Sequence, residues 1–278
     1  MNDATPAADA PQGEDQAVTV AAVSTRVHIG EVERNLGEIR EGIAAATAAG
    51  ARLIVLPELA TSGYVFADRA EAEESALDAS SEALLAVVRG LDGSTVVVLG
   101  FCERAGDDLF NSAAVFAGGE LLAVYRKSHL WGQERRIFTP GGDAGILVDT
   151  PVGRLGVAIC YDNEFPEVPR RLALSGADIL ALPVNWPLVP RPESEHAPEI
   201  IQAMAAARSS RLPTVVADRH GEERGIPWTE GTVVIDGDGW IVAQGVSGVV
   251  TATFRVTPGD KRIGDYNDLF GDRRPTLY

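Results

Sequence analysis

The sequence predicts an α/β fold. Strand-like runs of β-branched and leucine residues alternate with helical segments from residue 17 onward. The last third is strand-rich, and the two halves each read as α/β with paired strands, which points to a pseudo-symmetric core of two sheets. Ala17 to Val23 is the first strand. Asn35 to Ala49 carries helix formers with Leu36, Ile39 and Ile43 at helical spacing, and Gly50 stops it. Arg52 to Leu56 is a short buried-type strand closed by Pro57, so Glu58 falls just beyond it. Asp68 to Ser81 is acidic and loop-like or weakly helical. Glu82 to Arg89 reads as a helix leading into the strand Thr95 to Leu99, after which Cys102 is expected to be a structural thiol.

Leu109 to Phe116 and Leu121 to Tyr125 form a predicted hairpin through Ala117-Gly118-Gly119, and Lys127 stands just past its second strand. The loop Ser128 to Asp143 is long and rich in aromatic residues, as site-lining loops are. Leu155 to Ile159 is a strand that stops at Cys160, and the following Phe165 to Ser175 is helical, with Pro166 near its start and Gly176 past its end. A sharp strand-to-helix turn there lifts the thiol out of the sheet and aims the Tyr161 amide at the atom under attack. A strand at Asp178 to Leu182, a loop from Pro183 to Pro192, a helix from about Ala197 to Arg211 and a strand opened by Pro213 follow. Thr232 to Ile235, Trp240 to Gln244 and Val249 to Val256 are strands, the first two joined by the hairpin turn Asp236-Gly237-Asp238-Gly239. That turn lacks the further ligands and closing glutamate of a calcium loop. The organisation expected is an acidic disordered tail over 1–16, one domain over 17–256 and a C-terminal tail over 257–278 whose aromatic residues pack on another surface, in a partner subunit.

Composition narrows the function. The chain has 278 residues, 45% hydrophobic and 23% charged, as a soluble globular protein does. Its net charge of −16 repels phosphate backbones and anionic lipid, so nucleic acid and membrane surfaces are not expected partners. No apolar run is long enough to cross a bilayer, and the N-terminus has no basic region followed by an apolar segment. Two cysteines in contexts unlike a disulfide framework or a zinc site fit a reducing cytoplasm. The four histidines are scattered with no pair at ligand spacing, so no metal is expected. A full Gly-rich nucleotide loop and a Gly-x-Ser-x-Gly elbow are both missing. A Cys-His pair with His129 or His196 as base remains open, since neither context selects one.

Glu58, Lys127 and Cys160 form a set: each is polar, just past an apolar strand and followed by a loop. A thiol of pKa near 8.5 needs a base or a cation to become the attacking thiolate. Glu58 can take that proton, and Lys127 can stabilise the oxyanion that develops, a role worth roughly 3 kcal/mol for one well-placed donor. The product of attack on a carbonyl is a thioester, which water cleaves with the same glutamate as base.

Leu-Pro-Glu-Leu around Glu58, Tyr-Arg-Lys-Ser-His-Leu around Lys127 and Ile-Cys-Tyr-Asp-Asn-Glu-Phe-Pro-Glu around Cys160 resemble the three signature segments of the nitrilase superfamily of carbon-nitrogen hydrolases. The resemblance spans about residue 17 to the C-terminus. It implies a four-layer α-β-β-α sandwich, pairing of subunits through sheet-flanking helices into a homodimer or higher homo-oligomer, and no cofactor. It also implies a second glutamate that orients the lysine and substrate, which Glu134 matches, and an oxyanion hole shared by Lys127 and the Tyr161 amide. Cys-Tyr-Asp resembles the amidase and carbamoylase branches, where nitrile-acting members typically show Cys-Trp-Glu. A small, mainly aliphatic amide is therefore the expected substrate, in a pocket of Tyr64, Trp131, Asn185 and Trp186 with apolar walls and few charges. Carbamoylases of amino acids would carry an arginine for the substrate carboxylate, for which Arg170, Arg208 and Arg219 are candidates. Ala217-Asp218-Arg219-His220-Gly221 departs from the Ala-Asn-Arg-x-Gly often seen in relatives. A non-catalytic binding subunit and a nitrile hydrolase are the competing readings.

Overall fold

The computed structural model describes residues 16–277, so the expected N-terminal tail lies outside the described residues except for Gln16, which begins the first strand. The chain runs β1 (Gln16–Ser24), α1 (Val32–Ala48), β2 (Leu53–Val55), α2 (Arg69–Glu74), α3 (Glu82–Val88), β3 (Val96–Ala105), β4 (Asp108–Ala117), β5 (Glu120–Arg126), β6 (Ile146–Thr150) and β7 (Gly153–Val157). Then come α4 (Glu167–Leu174), β8 (Ile179–Pro183), α5 (Pro198–Ser210), β9 (Thr214–Ala217), the short pair β10 (Glu222–Glu223) and β11 (Ile226–Pro227), β12 (Thr232–Ile235), β13 (Ile241–Gly245) and β14 (Gly248–Val256).

Two six-stranded sheets result, ordered β14-β1-β2-β3-β4-β5 and β13-β12-β9-β8-β7-β6. In each, three parallel neighbours linked by helices are flanked by antiparallel strands. Alternation along the strands explains the layering. Val18, Val20 and Ala22 of β1 join a cluster with Val157, Leu180, Val216 and Val233 of the opposite sheet, whereas Ala21 and Val23 join Leu36, Ile39 and Ile43 of α1. Strands covered on both faces are apolar at consecutive positions, as Val96 to Leu99 are. Leu172 of α4 and Ala203 and Ala207 of α5 cover the outer face of the second sheet, completing an α-β-β-α sandwich.

Several strands differ from expectation, β3 and β6 among them. β3 continues through Cys102, because Glu103 there is neutralised within the sheet by Arg126 and accepts from Ser112 at 2.6 Å. Cys102 is fully buried inside that strand, its thiol pushed up to about 12 by burial, which suits a packing residue. β6 was not foreseen, since Ile146 to Thr150 is a half-buried edge strand without the strong apolar run of a central one. The first part of the C-terminal tail lies on its own chain: the Lys261 ammonium donates to the Ala177 and Arg211 carbonyls at 3.0 Å, and the Arg170 guanidinium sits over the Phe270 ring. Tyr266 and Leu277 of the same tail are exposed.

Gly100 positions the turn that carries Glu58. A Cβ at residue 100 would lie 2.6 Å from the Glu58 Cα and against the Pro57 carbonyl, so β3 can pass under this turn only with glycine there. Gly100→Ala is expected to cost about 1–3 kcal/mol, several degrees in Tm by thermal melting, and to lower turnover by displacing Glu58.

Candidate active site

Three strand ends converge. Glu58 follows β2, and its main chain is held by Leu56 and Ala60, whose amides donate to the Val98 and Gly100 carbonyls of β3. Lys127 follows β5, its amide donating to the Asn111 carbonyl at 2.8 Å and its carbonyl accepting from Gly141 at 2.9 Å. Cys160 follows β7. The ladder ends two residues earlier than expected, at Val157, because the Ile159 amide turns away to Asp162 Oδ2 at 2.9 Å. Cys160 then adopts φ +46 at the start of a short 3-10 turn, Cys160–Glu164. A non-glycine residue in that left-handed region stores about 1–2 kcal/mol of strain, as residues held for function do.

The side chains meet in a buried cluster. Lys127 Nζ donates to Glu58 Oε1 at 2.6 Å and to Glu134 Oε1 at 2.8 Å, all three groups being essentially inaccessible. Asn111 Nδ2 donates to the same Glu58 oxygen at 2.7 Å, which leaves Glu58 Oε2 buried with no partner. The Cys160 thiol points toward the Asn185 carbonyl, 3.8 Å away, and Asn185 Nδ2 in turn donates to the Glu58 carbonyl at 2.8 Å.

Burial governs the charges. It raises the Glu58 carboxyl to about 7, with Lys127 opposing and Glu134 adding to the rise. It also pushes the Cys160 thiol well above its ordinary value, and the Glu58 charge pushes the same way, so the thiol is protonated at rest. Burial alone would lower Lys127, yet Glu134 and Glu58 together hold its ammonium well above the usual lysine value. One cation between two carboxylates therefore stays protonated while one carboxylate titrates near neutrality.

Asp162, fully buried, ties the lysine loop to the cysteine turn. It accepts from Tyr125 Oη at 2.8 Å, from the His129 ring at 2.8 Å and from the Ile159 amide. His129 is thereby committed to Asp162 and to stacking on Phe165 at 3.9 Å, while His196 is exposed and outside the thiol's cavity. Neither is placed as a base for Cys160.

The thiol opens into a cavity of about 160 Å³ walled by Trp131, Tyr161, Asn185 and Trp186. The Tyr161 amide lies in the first turn of its 3-10 segment, where an amide has no intrahelical partner and is free to donate elsewhere. Tyr64, expected as a wall, is not among the residues that line this cavity: its hydroxyl donates to Glu134 Oε1, and its ring meets Trp228 edge-on at 5.8 Å. The expectation of few charges is also corrected, because Glu164 and Glu199 line the cavity.

None of the three candidate arginines lines it. Arg170 donates to the Ser209 and Leu269 carbonyls, Arg208 pairs with Asp238, and Arg219 is buried, pairing with Glu223 and lying over Trp228. The Asp238 pairings with Arg208 and Arg211 also occupy the turn considered for calcium. Asp218 sits behind the cavity wall, accepting from the Trp186, Arg219 and Gly231 amides, its carboxyl pushed up to about 8 by burial. Among the described residues no group of His, Cys, Asp and Glu could hold a metal ion, and no helix is long and apolar enough to cross a membrane.

Asn111, Asp162, Glu164 and Glu199 were missed as site residues. Asn111 alone carried a signal, as an amide inside an apolar strand that has to find a partner.

Comparison with known proteins places this geometry in company. The model of the family described as carbon-nitrogen hydrolase matches residues 19–254. A protein of Pyrococcus abyssi named nitrilase is 36% identical over 94% of this chain and 99% of its own length. An N-carbamoylputrescine amidase of Arabidopsis thaliana is 31% identical over 89% of this chain and 90% of its own. The crystal structure of an amidase from Nesterenkonia sp. superposes with a TM-score of 0.77 at 24% identity, covering 96% of this chain and 97% of that one, and so shares the fold.

Proposed function

The chain belongs to the carbon-nitrogen hydrolase family, and from that premise we propose that it is an amidase cleaving small linear amides to carboxylic acid and ammonia through a thioester on Cys160. The observation that carries this reading is the buried Glu58 oxygen left without a partner, while its other oxygen is fixed by Lys127 and Asn111 and its charge is felt by the Cys160 thiol. Glu58 takes the thiol proton as sulfur bonds to the amide carbon. The oxyanion so formed is met by the Lys127 ammonium and the Tyr161 amide. The C–N bond then breaks as Glu58 returns the proton to the departing nitrogen. Water, deprotonated by Glu58, attacks the thioester, and the acid leaves as the thiol is restored. Glu134 holds Lys127 from the other side and is itself fixed by Tyr64.

Rapid quenching during turnover of a small amide, followed by mass spectrometry, is expected to find the acyl group on the Cys160 peptide. Ammonia release with Cys160 unmodified throughout would overturn the mechanism. Because Glu58 acts as a carboxylate and its value lies at about 7, kcat/KM is expected to fall as pH drops below about 7 and to level off above it. A pH–rate profile with ammonia detection measures this.

The relatives named nitrilase and N-carbamoylputrescine amidase supply the second arms of the same assay, a nitrile and an N-carbamoyl amine. The cysteine segment, Cys-Tyr-Asp, favours the amide over the nitrile. Association of two copies across α4 and α5, whose Leu174 and Ile201 remain exposed, belongs to the same proposal, and light scattering in solution measures it.

A further inference from the structure

Glu223, in the short pair β10 and β11, lies outside the thiol's cavity, yet it fixes a loop on which the active site leans. From Gly63 to Ala67 the chain has no regular secondary structure, so its amides have no ladder to donate to. Glu223 takes the place of that ladder. Its Oε1 accepts from the Tyr64 amide at 2.9 Å and from the Val65 amide at 2.6 Å. Its Oε2 faces the Arg219 guanidinium at 2.8 Å, and both side chains are almost wholly buried. The fit is close: a Cβ on Gly63 would lie 2.8 Å from that oxygen and 2.7 Å from the Ile29 Cα.

Arg219 is itself anchored, donating to the Val27 carbonyl at 2.6 Å and lying over the Trp228 ring, which also meets Tyr64 edge-on. The backbone of Tyr64 is thus pinned by Glu223 and its ring by Trp228. Its hydroxyl donates to Glu134 Oε1, the same oxygen that accepts from Lys127 at 2.8 Å. A buried ion pair adds little to stability by itself, so a pair whose carboxylate also holds two loop amides is better explained by what the loop carries.

We propose that Glu223, paired with Arg219, is a positioning residue for the reaction: it sets the Tyr64 backbone so that the Tyr64 hydroxyl holds Glu134, and Glu134 holds the Lys127 ammonium where the oxyanion forms. This rests on the reading of Lys127 as oxyanion donor and extends it to a residue remote from the substrate.

Three variants cut the relay at different points. Tyr64→Phe removes the donor to Glu134 and leaves Arg219 and Glu223 paired. Glu223→Asp keeps a charge facing Arg219 but is one methylene too short to reach both amides, and Glu223→Gln keeps the length without the charge. With a small amide, below the melting temperature of each protein, all three are expected to lower kcat by on the order of tenfold with KM little changed, as loss of one hydrogen bond to a charged group in the transition state does. Tyr64→Phe combined with Glu223→Asp is expected to lose no more than the larger single loss.

The acid limb of the pH profile is the second readout. The titratable groups that bear on Glu58 are Lys127, Glu134, Tyr64 and Cys160. Glu134 raises Glu58 and Lys127 lowers it, so a Glu134 released by Tyr64 weakens the raising charge and leaves Lys127 to Glu58. The limb near pH 7 is therefore expected to move to lower pH in all three variants. Alkylation of Cys160 by iodoacetamide, followed by mass spectrometry, reads the same limb without turnover. Unchanged kcat and an unmoved limb in Glu223→Asp overturn the inference, as do losses that multiply in the double variant. A Glu223→Asp protein that does not fold overturns it too, since the residue then serves the whole fold. Amide cleavage through Cys160 in those outcomes leaves the amidase reading standing, whereas an alkylation limb that moves in a protein cleaving no amide keeps the relay and ends that reading.

Discussion

Cys160→Ala is expected to abolish ammonia release from every amide the wild-type protein cleaves, a loss on the order of 10⁵-fold or more in kcat, as when the nucleophile of a cooperating set is removed. Among the residues lining the cavity Cys160 is the one that carries a thiol, and the Glu58–Lys127 pair has nothing to activate without it. Burial and the neighbouring Glu58 charge keep it protonated at rest, so its reactivity depends on transfer to that carboxylate at the moment of attack. The fold has no need of the sulfur: the residue is strained at φ +46, and its thiol makes one long contact with a carbonyl. The melting temperature should therefore change little. Cys102 supplies the internal contrast. Cys102→Ala leaves a small void in the core and is expected to cost about 1 kcal/mol of stability while retaining turnover. Ammonia assays and thermal melts on the two variants give opposite patterns if the assignment holds. Undiminished ammonia release from Cys160→Ala would end the thioester reading, since another group would then have to carry the hydrolysis.

What the chain discloses without coordinates follows from where polar residues are forced to be. Glu58, Lys127 and Cys160 each follow a strand-like run, two of them parallel strands inside their sheets and the third, β5, an antiparallel edge strand, so three such endings could be read as one rim. Distances could not be read, since the endings are separated by 69 and 33 residues and meet only when the two sheets pack. Asn111 escaped notice because it sits in the middle of β4, where a single amide in an apolar strand looks like an edge residue until its partner is known. Glu199 was hidden differently: an acid in the first turn of a helix is explained well enough by the helix dipole, and only its shielded, unpaired oxygen sets it apart. Asp162 shows the same limit. In the sequence it is one letter after Cys160-Tyr161, whereas in the fold it joins Tyr125, His129 and Ile159, which no local pattern connects. Tyr64 failed in the other direction, because an aromatic residue near a predicted site has two sides on which to lie, and its hydroxyl chose Glu134.

Lys127→Met is expected to damage both activity and stability, and the combination is what identifies the ammonium's role. Removing the cation strips one oxyanion donor, worth about 10²–10³ in kcat by itself, and also releases Glu58 from the contact that orients its free oxygen. The stability effect has a separate cause. Glu58 and Glu134 are left as two carboxyls in a dry site, and breaking a buried ion pair from one side costs about 3–5 kcal/mol. For a chain of this size that corresponds to roughly 10 °C in Tm. One or both acids should then take up a proton, since a neutral carboxyl tolerates burial and two adjacent charges do not. Lys127→Met is accordingly expected to be least stable at alkaline pH, where those protons must be given up. Adding Glu134→Gln to Lys127→Met removes one of the stranded charges and should recover part of the lost Tm without recovering ammonia release. Partners in one network are non-additive in this way, and a double-variant cycle on Tm measures the coupling directly. A double variant as unstable as the sum of the two single ones would mean that the lysine and Glu134 act independently, and the picture of one cation shared between two acids would have to be given up.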